Sequence, residues 1–112
     1  MRRGELYLAD LNQQVGSEQS GLRPVIIVQN EQGNNHSPTT IICPITSKDK
    51  TEIATHVTIT PEDCDIIKES IILCEQVRVV DKTRLKRKLG QVNNKKIIEE
   101  VNKKLMISIG VV

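Results

Sequence analysis

Gly16-Ser17-Glu18-Gln19-Ser20-Gly21-Leu22-Arg23-Pro24-Val25-Ile26-Ile27-Val28-Gln29-Asn30 passes from a polar loop bounded by glycines into an unbroken β-branched run. Residues 25–28 carry no polar alternate, the mark of a strand buried on both faces. Arg23 stands at the mouth of that strand. A residue before proline is pushed out of helical geometry into an extended one, so Leu22-Arg23-Pro24 holds the arginine at the strand's rim. Its guanidinium stays charged at physiological pH and offers a planar fork of donors that suits phosphate oxygens. A surface ion pair, for instance with Glu18, is the plainer reading, and chemistry alone leaves both open.

Outward from this strand the pattern is mostly β. Residues 5–9 alternate, with Leu6 and Leu8 on one face and Tyr7 on the other. Residues 40–45 predict the next strand, stopped near Pro44 and followed by the hydroxyls of Thr46 and Ser47. Such hydroxyls either satisfy turn backbone groups or reach a phosphate oxygen or an attacking hydroxyl. Between these strands, residues 31–38 contain Gly33-Asn34-Asn35 and read as a turn or loop. Residues 55–59 alternate, placing Val57 and Ile59 inward and His56 and Thr58 outward. Residues 71–80 read as one long strand.

The last third predicts helices. Asp81 is a candidate N-cap for a short helix through Leu89, stopped by Gly90. Asn93 or Asn94 caps a second, in which Ile97, Ile98, Val101 and Leu105 form one apolar stripe. Residues 107–112 return to β-like composition and predict a final short strand. The class is α+β, mainly β: a strongly bent sheet or partly closed barrel with short helices, including a C-terminal amphipathic one, in a single domain over residues 1–112.

Composition limits the chemistry. The 112 residues carry a formal net charge of +2, too small to require a polyanionic partner. There is no Trp, no Phe and one Tyr, so any nucleic-acid binding must rest on hydrogen bonds and charge rather than on stacked aromatics. Lys82, Arg84, Lys86, Arg87 and Lys88 crowd one stretch, read either as a solvated helix face or as a partner surface. Cys43, Cys64 and Cys74 are odd in number and lack metal-ligand spacing, and no apolar run resembles a leader or a span. A cytoplasmic protein with reduced thiols is expected, with no membrane association. His36 with His56 is a candidate acid–base pair, and Cys74 with His56 a candidate thiol nucleophile. Asp10, Glu18, Glu75 and Asp81 are scattered over separate connections and strand ends and mark no metal site.

Arg3-Gly4-Glu5-Leu6-Tyr7-Leu8-Ala9-Asp10-Leu11, Gly16-Ser17-Glu18-Gln19, Arg23-Pro24-Val25-Ile26-Ile27-Val28-Gln29-Asn30, Ile45-Thr46-Ser47, Thr55-His56-Val57 and Glu75-Gln76-Val77-Arg78-Val79-Val80-Asp81-Lys82 together resemble the MazF/PemK toxins over nearly the whole chain. That resemblance implies an SH3-like barrel (MazF/CcdB-like) acting as a homodimer in the bacterial cytoplasm. It implies an endoribonuclease, an mRNA interferase of a type II toxin–antitoxin system. Such a toxin cuts single-stranded mRNA at short motifs without cofactor or metal, through 2′-hydroxyl attack that leaves a cyclic phosphate and a 5′-hydroxyl. Translation and growth stop, and a cognate MazE-like antitoxin neutralises the toxin. The catalytic arginine and threonine map onto Arg23 and Thr46. Ser17, Glu18, Gln19 and Gln76 match RNA-binding positions, with Ser47 adjoining. The alternatives are a CcdB-like topoisomerase-binding toxin and a non-catalytic SH3-like module, both of which would tolerate loss of Arg23 and Thr46.

Overall fold

In the computed structural model, which describes residues 1–12, 15–47 and 53–111, the 25–28 run is walled in on both sides. The elements run β1 (Glu5–Asp10), β2 (Leu22–Ile27), α1 (Glu31–His36), β3 (Thr39–Ser47), β4 (His56–Ile59), β5 (Ser70–Leu73), β6 (Arg78–Asp81), β7 (Leu85–Gln91) and α2 (Lys95–Ser108). Single 3-10 turns lie at Cys74–Gln76 and Lys82–Arg84. Every strand pair is antiparallel, in the order β4-β5-β3-β2-β1-β7, with β6 also paired to β3. This is the mainly β, α+β architecture expected. Ile26 and Val28 join Leu6, Cys43, Ile45, Val57, Ile72 and the helix residues Ile97 and Val101 in one core. Val25 and Ile27 point the other way, into a second cluster with Ala9, Leu11, Ile42 and Val80.

The turn that matters most for the site arises on β3. That strand does not stop at Pro44 but continues to Ser47, pairing with β6 at one end and β5 at the other. Between the pairs Ile42↔Arg78 and Ile45↔Ile72, Cys43 and Pro44 face the five residues from Leu73 to Val77. Pro44 brings no N–H to a neighbour, so a strand running straight past it would leave a carbonyl without a donor. The excess residues leave the ladder instead as the Cys74–Gln76 turn. The single strand expected over residues 71–80 is therefore two strands with a turn between them.

Three further expectations are corrected. Residues 31–36 are helical because Asn30 caps them, its side chain accepting the Gly33 N–H at 2.8 Å. Asn34, which read as a turn residue, is buried and accepts the Thr40 hydroxyl at 2.7 Å while donating to the Gln29 carbonyl at 2.9 Å. Asp81 caps only the Lys82–Arg84 turn, and residues 85–91 form a strand on the free edge of β1. Leu85 and Leu89 stand at helical spacing, but two bulges in the β1–β7 ladder absorb a residue each. Leu85 then packs with the second cluster and Leu89 with the first. Finally, α2 runs on through Ser108 where a strand was expected, and closes on Gly110 at φ 78°, with the Val111 N–H reaching the Met106 carbonyl at 2.8 Å. Residue 112 lies outside the described residues. Asn94 is its cap, accepting the Lys96 N–H at 3.0 Å. Burial of Ile97 and Val101 against β4 and the Cys74–Gln76 turn contributes roughly 1.5–3 kcal/mol each.

Gly90 is required where it stands. Its φ is +153°, and a Cβ there would lie 2.2 Å from that of Asp65. Gly90→Ala is expected to cost about 2–4 kcal/mol, read as a lowered denaturation midpoint. Glu5 ties the same strand pair together. Burial works to raise its carboxyl pKa, but the Lys88 ammonium and the Arg2 N–H, both at 2.7 Å, outweigh it and hold the pKa below the ordinary 4.5. A lowered carboxyl stabilises above the unfolded value and loses that contribution as pH falls through the folded one. Stability should therefore drop as pH falls below about 4.5, by less in Glu5→Gln, as followed by thermal unfolding across pH.

Candidate functional site

β2 and β3 bring the arginine and the threonine to one place. Their ladder pairs Ile27↔Ile42, Ile26↔Cys43 and Val25↔Pro44. Carried two residues past its last pair, that register sets Arg23 level with Thr46, and alternation puts both on the face that carries Val25, Ile42 and Pro44. Arg23 is partly buried, and its Nε donates to the Ser20 carbonyl at 2.9 Å; among the described residues nothing else is bonded to its guanidinium. The alternative ion pair is not made: the Glu18 carboxylate accepts the Val15 N–H at 3.2 Å instead. Thr46 is 9 % exposed and pairs with Ile71. Ser47 falls on the opposite face, paired with Ser70, so the structure does not bring it together with Arg23 and Thr46.

The segment leading into β2, described at residues 12 and 15–21, lies beside Arg23. Its base is closed by the Leu11 N–H to the Gly21 carbonyl and the Gly21 N–H to the Asn12 carbonyl, each 2.9 Å, with Gly21 at φ 76°. Its tip is clasped by one side chain. The Gln19 N–H donates to Gln76 Oε1 at 2.8 Å, and Gln76 Nε2 donates to the Ser17 carbonyl at 3.3 Å. Ser17 and Glu18 are exposed, whereas Gln19 is 8 % exposed. Between loop and turn lies a cavity of about 230 Å³ lined by Glu18, Gln19, Pro44, Glu75, Gln76, Val77 and Arg78. Gln76 thus has a scaffolding role that motif reading did not supply. Arg78 was not singled out either; pairing with Ile42 places it on the face of Arg23 and Thr46.

The competing chemistries meet geometric obstacles. His56 is not outward but buried, 7 % exposed. Its Nδ1 accepts the Ile53 N–H at 3.3 Å, so Nε2 carries the proton and donates to Glu75 at 3.1 Å. The Thr55 hydroxyl donates to the other Glu75 oxygen at 3.0 Å. Both ring nitrogens are engaged, Nε2 in bracing the Cys74–Gln76 turn and Nδ1 on the backbone of Ile53, while His36 is exposed at the end of α1. No thiol nucleophile forms with Cys74, which is buried. The neighbouring Cys74 thiol together with burial pushes the Cys43 thiol far above the ordinary range. Among the described residues, no three His, Cys, Asp or Glu side chains are grouped to hold a metal ion, and no helix is long and apolar enough to cross a membrane. The basic 82–88 stretch is no helix face. Lys82 donates to the Asn34 carbonyl, Arg84 to that of Asp10 at 3.3 Å and Lys86 to that of Thr83 at 3.2 Å, while Lys88 pairs with Glu5.

Comparison with known proteins agrees over the whole architecture. A protein from Staphylococcus saprophyticus named Endoribonuclease MazF is 50 % identical over 111 residues, covering 98 % of this chain and 92 % of that one. Among solved structures, MazF from Deinococcus radiodurans superposes with a TM-score of 0.84 at 23 % identity, covering 98 % of this chain and 96 % of that one. An endoribonuclease from a mycobacterial species, solved with its cognate antitoxin, gives 0.80 at 24 % identity and covers 100 % and 97 %. The family described as the PemK-like, MazF-like toxin of type II toxin–antitoxin systems matches residues 2–109. With the motif, the fold and a half-identical relative in agreement, the chain belongs to the PemK-like, MazF-like toxin family.

Proposed function

We propose that this chain is an endoribonuclease toxin that cuts single-stranded mRNA at short motifs. The observation that carries the reading is the placement of Arg23 level with Thr46 at adjoining strand ends, beside a roofed groove. The 50 % identical relative named Endoribonuclease MazF supports it. RNA brings its own nucleophile. The ribose 2′-hydroxyl attacks the adjacent phosphorus in line, the 5′ oxygen leaves, and a cyclic phosphate and a 5′-hydroxyl result. Arg23 neutralises the charge that builds on the phosphate oxygens and stands near the leaving oxygen. It is not the base, because a guanidinium stays protonated. Thr46 orients the phosphate or the 2′-hydroxyl by a hydrogen bond. The arrangement supplies its positive charge from the protein itself, so the reaction proposed needs no metal ion.

Ser17, Glu18, Gln19 and Gln76 line or build the groove and contact the strand beyond the cut. Ser47, on the reverse face, supports the end of β3. The proposed assembly is a cytoplasmic homodimer, silenced by a MazE-like antitoxin, as the mycobacterial and Deinococcus relatives solved with antitoxins suggest for this chain.

Purified protein incubated with a long single-stranded RNA in EDTA should give discrete fragments ending in a cyclic phosphate. Arg23→Ala, folded by circular dichroism, should cut on the order of 100- to 1000-fold more slowly. Intact RNA with antitoxin-free wild type would favour a topoisomerase-binding toxin, and wild-type cleavage by Arg23→Ala would remove that residue from the chemistry.

A further inference from the structure

Resting on the ribonuclease reading above, we propose that His56 is a positioning residue for the reaction. Through Glu75 it fixes the Cys74–Gln76 turn, and through that turn it fixes the backbone on which Arg23 is anchored. Each step is a hydrogen bond. His56 Nε2 donates to Glu75 Oε2 at 3.1 Å, and the Thr55 hydroxyl donates to the other oxygen at 3.0 Å. Gln76, the next residue, accepts the Gln19 N–H at 2.8 Å and donates to the Ser17 carbonyl at 3.3 Å. Ser20 follows Gln19, and its carbonyl accepts Nε of Arg23 at 2.9 Å. The arginine's anchor is thus the neighbour of a residue that Gln76 holds.

Two observations make this more than adjacency. The backbone closes the turn only weakly. The bonds from the Cys74 N–H to the Thr55 carbonyl and from the Val77 N–H to the Cys74 carbonyl are both 3.3 Å, past the usual N–H···O range. Neither involves Glu75 or Gln76, and the side-chain bonds from Thr55 and His56 are shorter. The imidazole, moreover, is built as an oriented donor. Pairing of β4 with β5 sets it opposite Leu73, at the threshold of the turn, and its side chain is 5 % exposed. Nδ1 accepts the Ile53 N–H at 3.3 Å, so the hydrogen stays on Nε2 and faces Glu75. A guanidinium that stabilises charge in a transition state depends on such support, since a misplacement of about 1 Å far from the chemistry can cost on the order of 100-fold in rate.

The two ring nitrogens can be replaced separately. An asparagine amide takes the place of Nδ1 and accepts the Ile53 N–H but stops short of Glu75. A glutamine amide reaches the place of Nε2 and still donates to Glu75, leaving the Ile53 N–H to water. Wild type, His56→Asn, His56→Gln and Thr55→Val are compared by kcat and KM on a single-stranded RNA oligonucleotide carrying one site that the wild type cuts, and by amide hydrogen exchange at Gln19. His56→Asn should lower kcat on the order of 10- to 100-fold with KM little changed, and should speed exchange at Gln19. His56→Gln should bring both readouts back to within about threefold of wild type. Thr55→Val breaks a solvent-exposed bond, keeps the core intact and decides the matter if His56→Asn does not fold; it should move both readouts the same way, by less. Equal losses in His56→Asn and His56→Gln would overturn the inference, because the imidazole itself rather than its bond to Glu75 would then be required. So would a raised KM at unchanged kcat, the mark of a lost RNA contact. A wild type that cuts RNA beside variants with unchanged kcat and exchange would overturn this inference alone. A wild type that cuts no RNA would overturn the ribonuclease reading and this inference with it.

Discussion

A proline in the central strand shapes this molecule more than any other residue. Pro44 lets β3 pair with β2 along one edge but offers no donor to the strand beside it, and that strand resolves the defect by leaving the ladder for five residues against two. The displaced residues become the Cys74–Gln76 turn, which carries Glu75 and Gln76 out of the sheet and toward the 16–21 loop. Without the interruption, residues 71–80 would close flat against β3, and the groove beside Arg23 and Thr46 would have no far wall. The turn would be weak alone. It is held by the buried Cys74 beneath it, by α2 packed against it, and by His56 and Thr55 bonded to both oxygens of Glu75.

That bracing explains why the side chains a chemist would suspect first are spent on structure. Each hydrogen bond in the His56–Glu75–Thr55 set contributes about 0.5–1.5 kcal/mol, more where charge is shared, but only with the imidazole in one tautomer. A histidine whose two nitrogens are committed to a backbone N–H and a carboxylate is a strut rather than a proton shuttle. Cys43 and Cys74 lie together in the apolar core under the same turn, where the neighbouring Cys74 and burial push the Cys43 thiol far above the ordinary range. Arg23 is built differently. One nitrogen anchors it to the Ser20 carbonyl and fixes its direction, while its charge is not cancelled by Glu18, which turns back to its own loop. A cation oriented in advance, and not paired with a carboxylate among the described residues, suits stabilisation of developing phosphate charge.

The parts of this fold legible in the sequence are those whose signals are local. The 25–28 run reads as doubly buried because nothing polar interrupts it, and α2 reads as a helix because its stripe and its Asn94 cap agree. Arg23 and Thr46 were legible as a pair through the family motif, although only the register shows why they meet. The illegible parts are non-local. Leu85 and Leu89 carry a helical spacing that two bulges against β1 convert into a strand. Asn34 looks like a turn residue until Thr40 and Gln29 enclose it. His56 sits at an outward position of an alternating strand and is buried, bonded to Glu75 from beyond the next strand. Arg78 is the same case at the site: its neighbours in sequence say strand, and its neighbours in space make a cavity wall.

Charge and composition then constrain how such a chain can select RNA. The basic 82–88 stretch would serve a general affinity for polyanions, but four of its cations are bonded to oxygens of the chain itself, and lysines along an edge strand also guard β7 against pairing with other chains. Tyr7, the single aromatic, packs against the second core cluster and is not a stacking platform. A net charge of +2 supplies little long-range attraction. With neither stacking nor bulk charge to hold a strand, binding energy has to come from a few directional contacts at the groove between loop and turn. Directional contacts discriminate among bases where electrostatic ones do not. On the proposed ribonuclease function, a weakly basic, aromatic-poor chain of this shape is pushed by its own composition toward cutting few sequences rather than many.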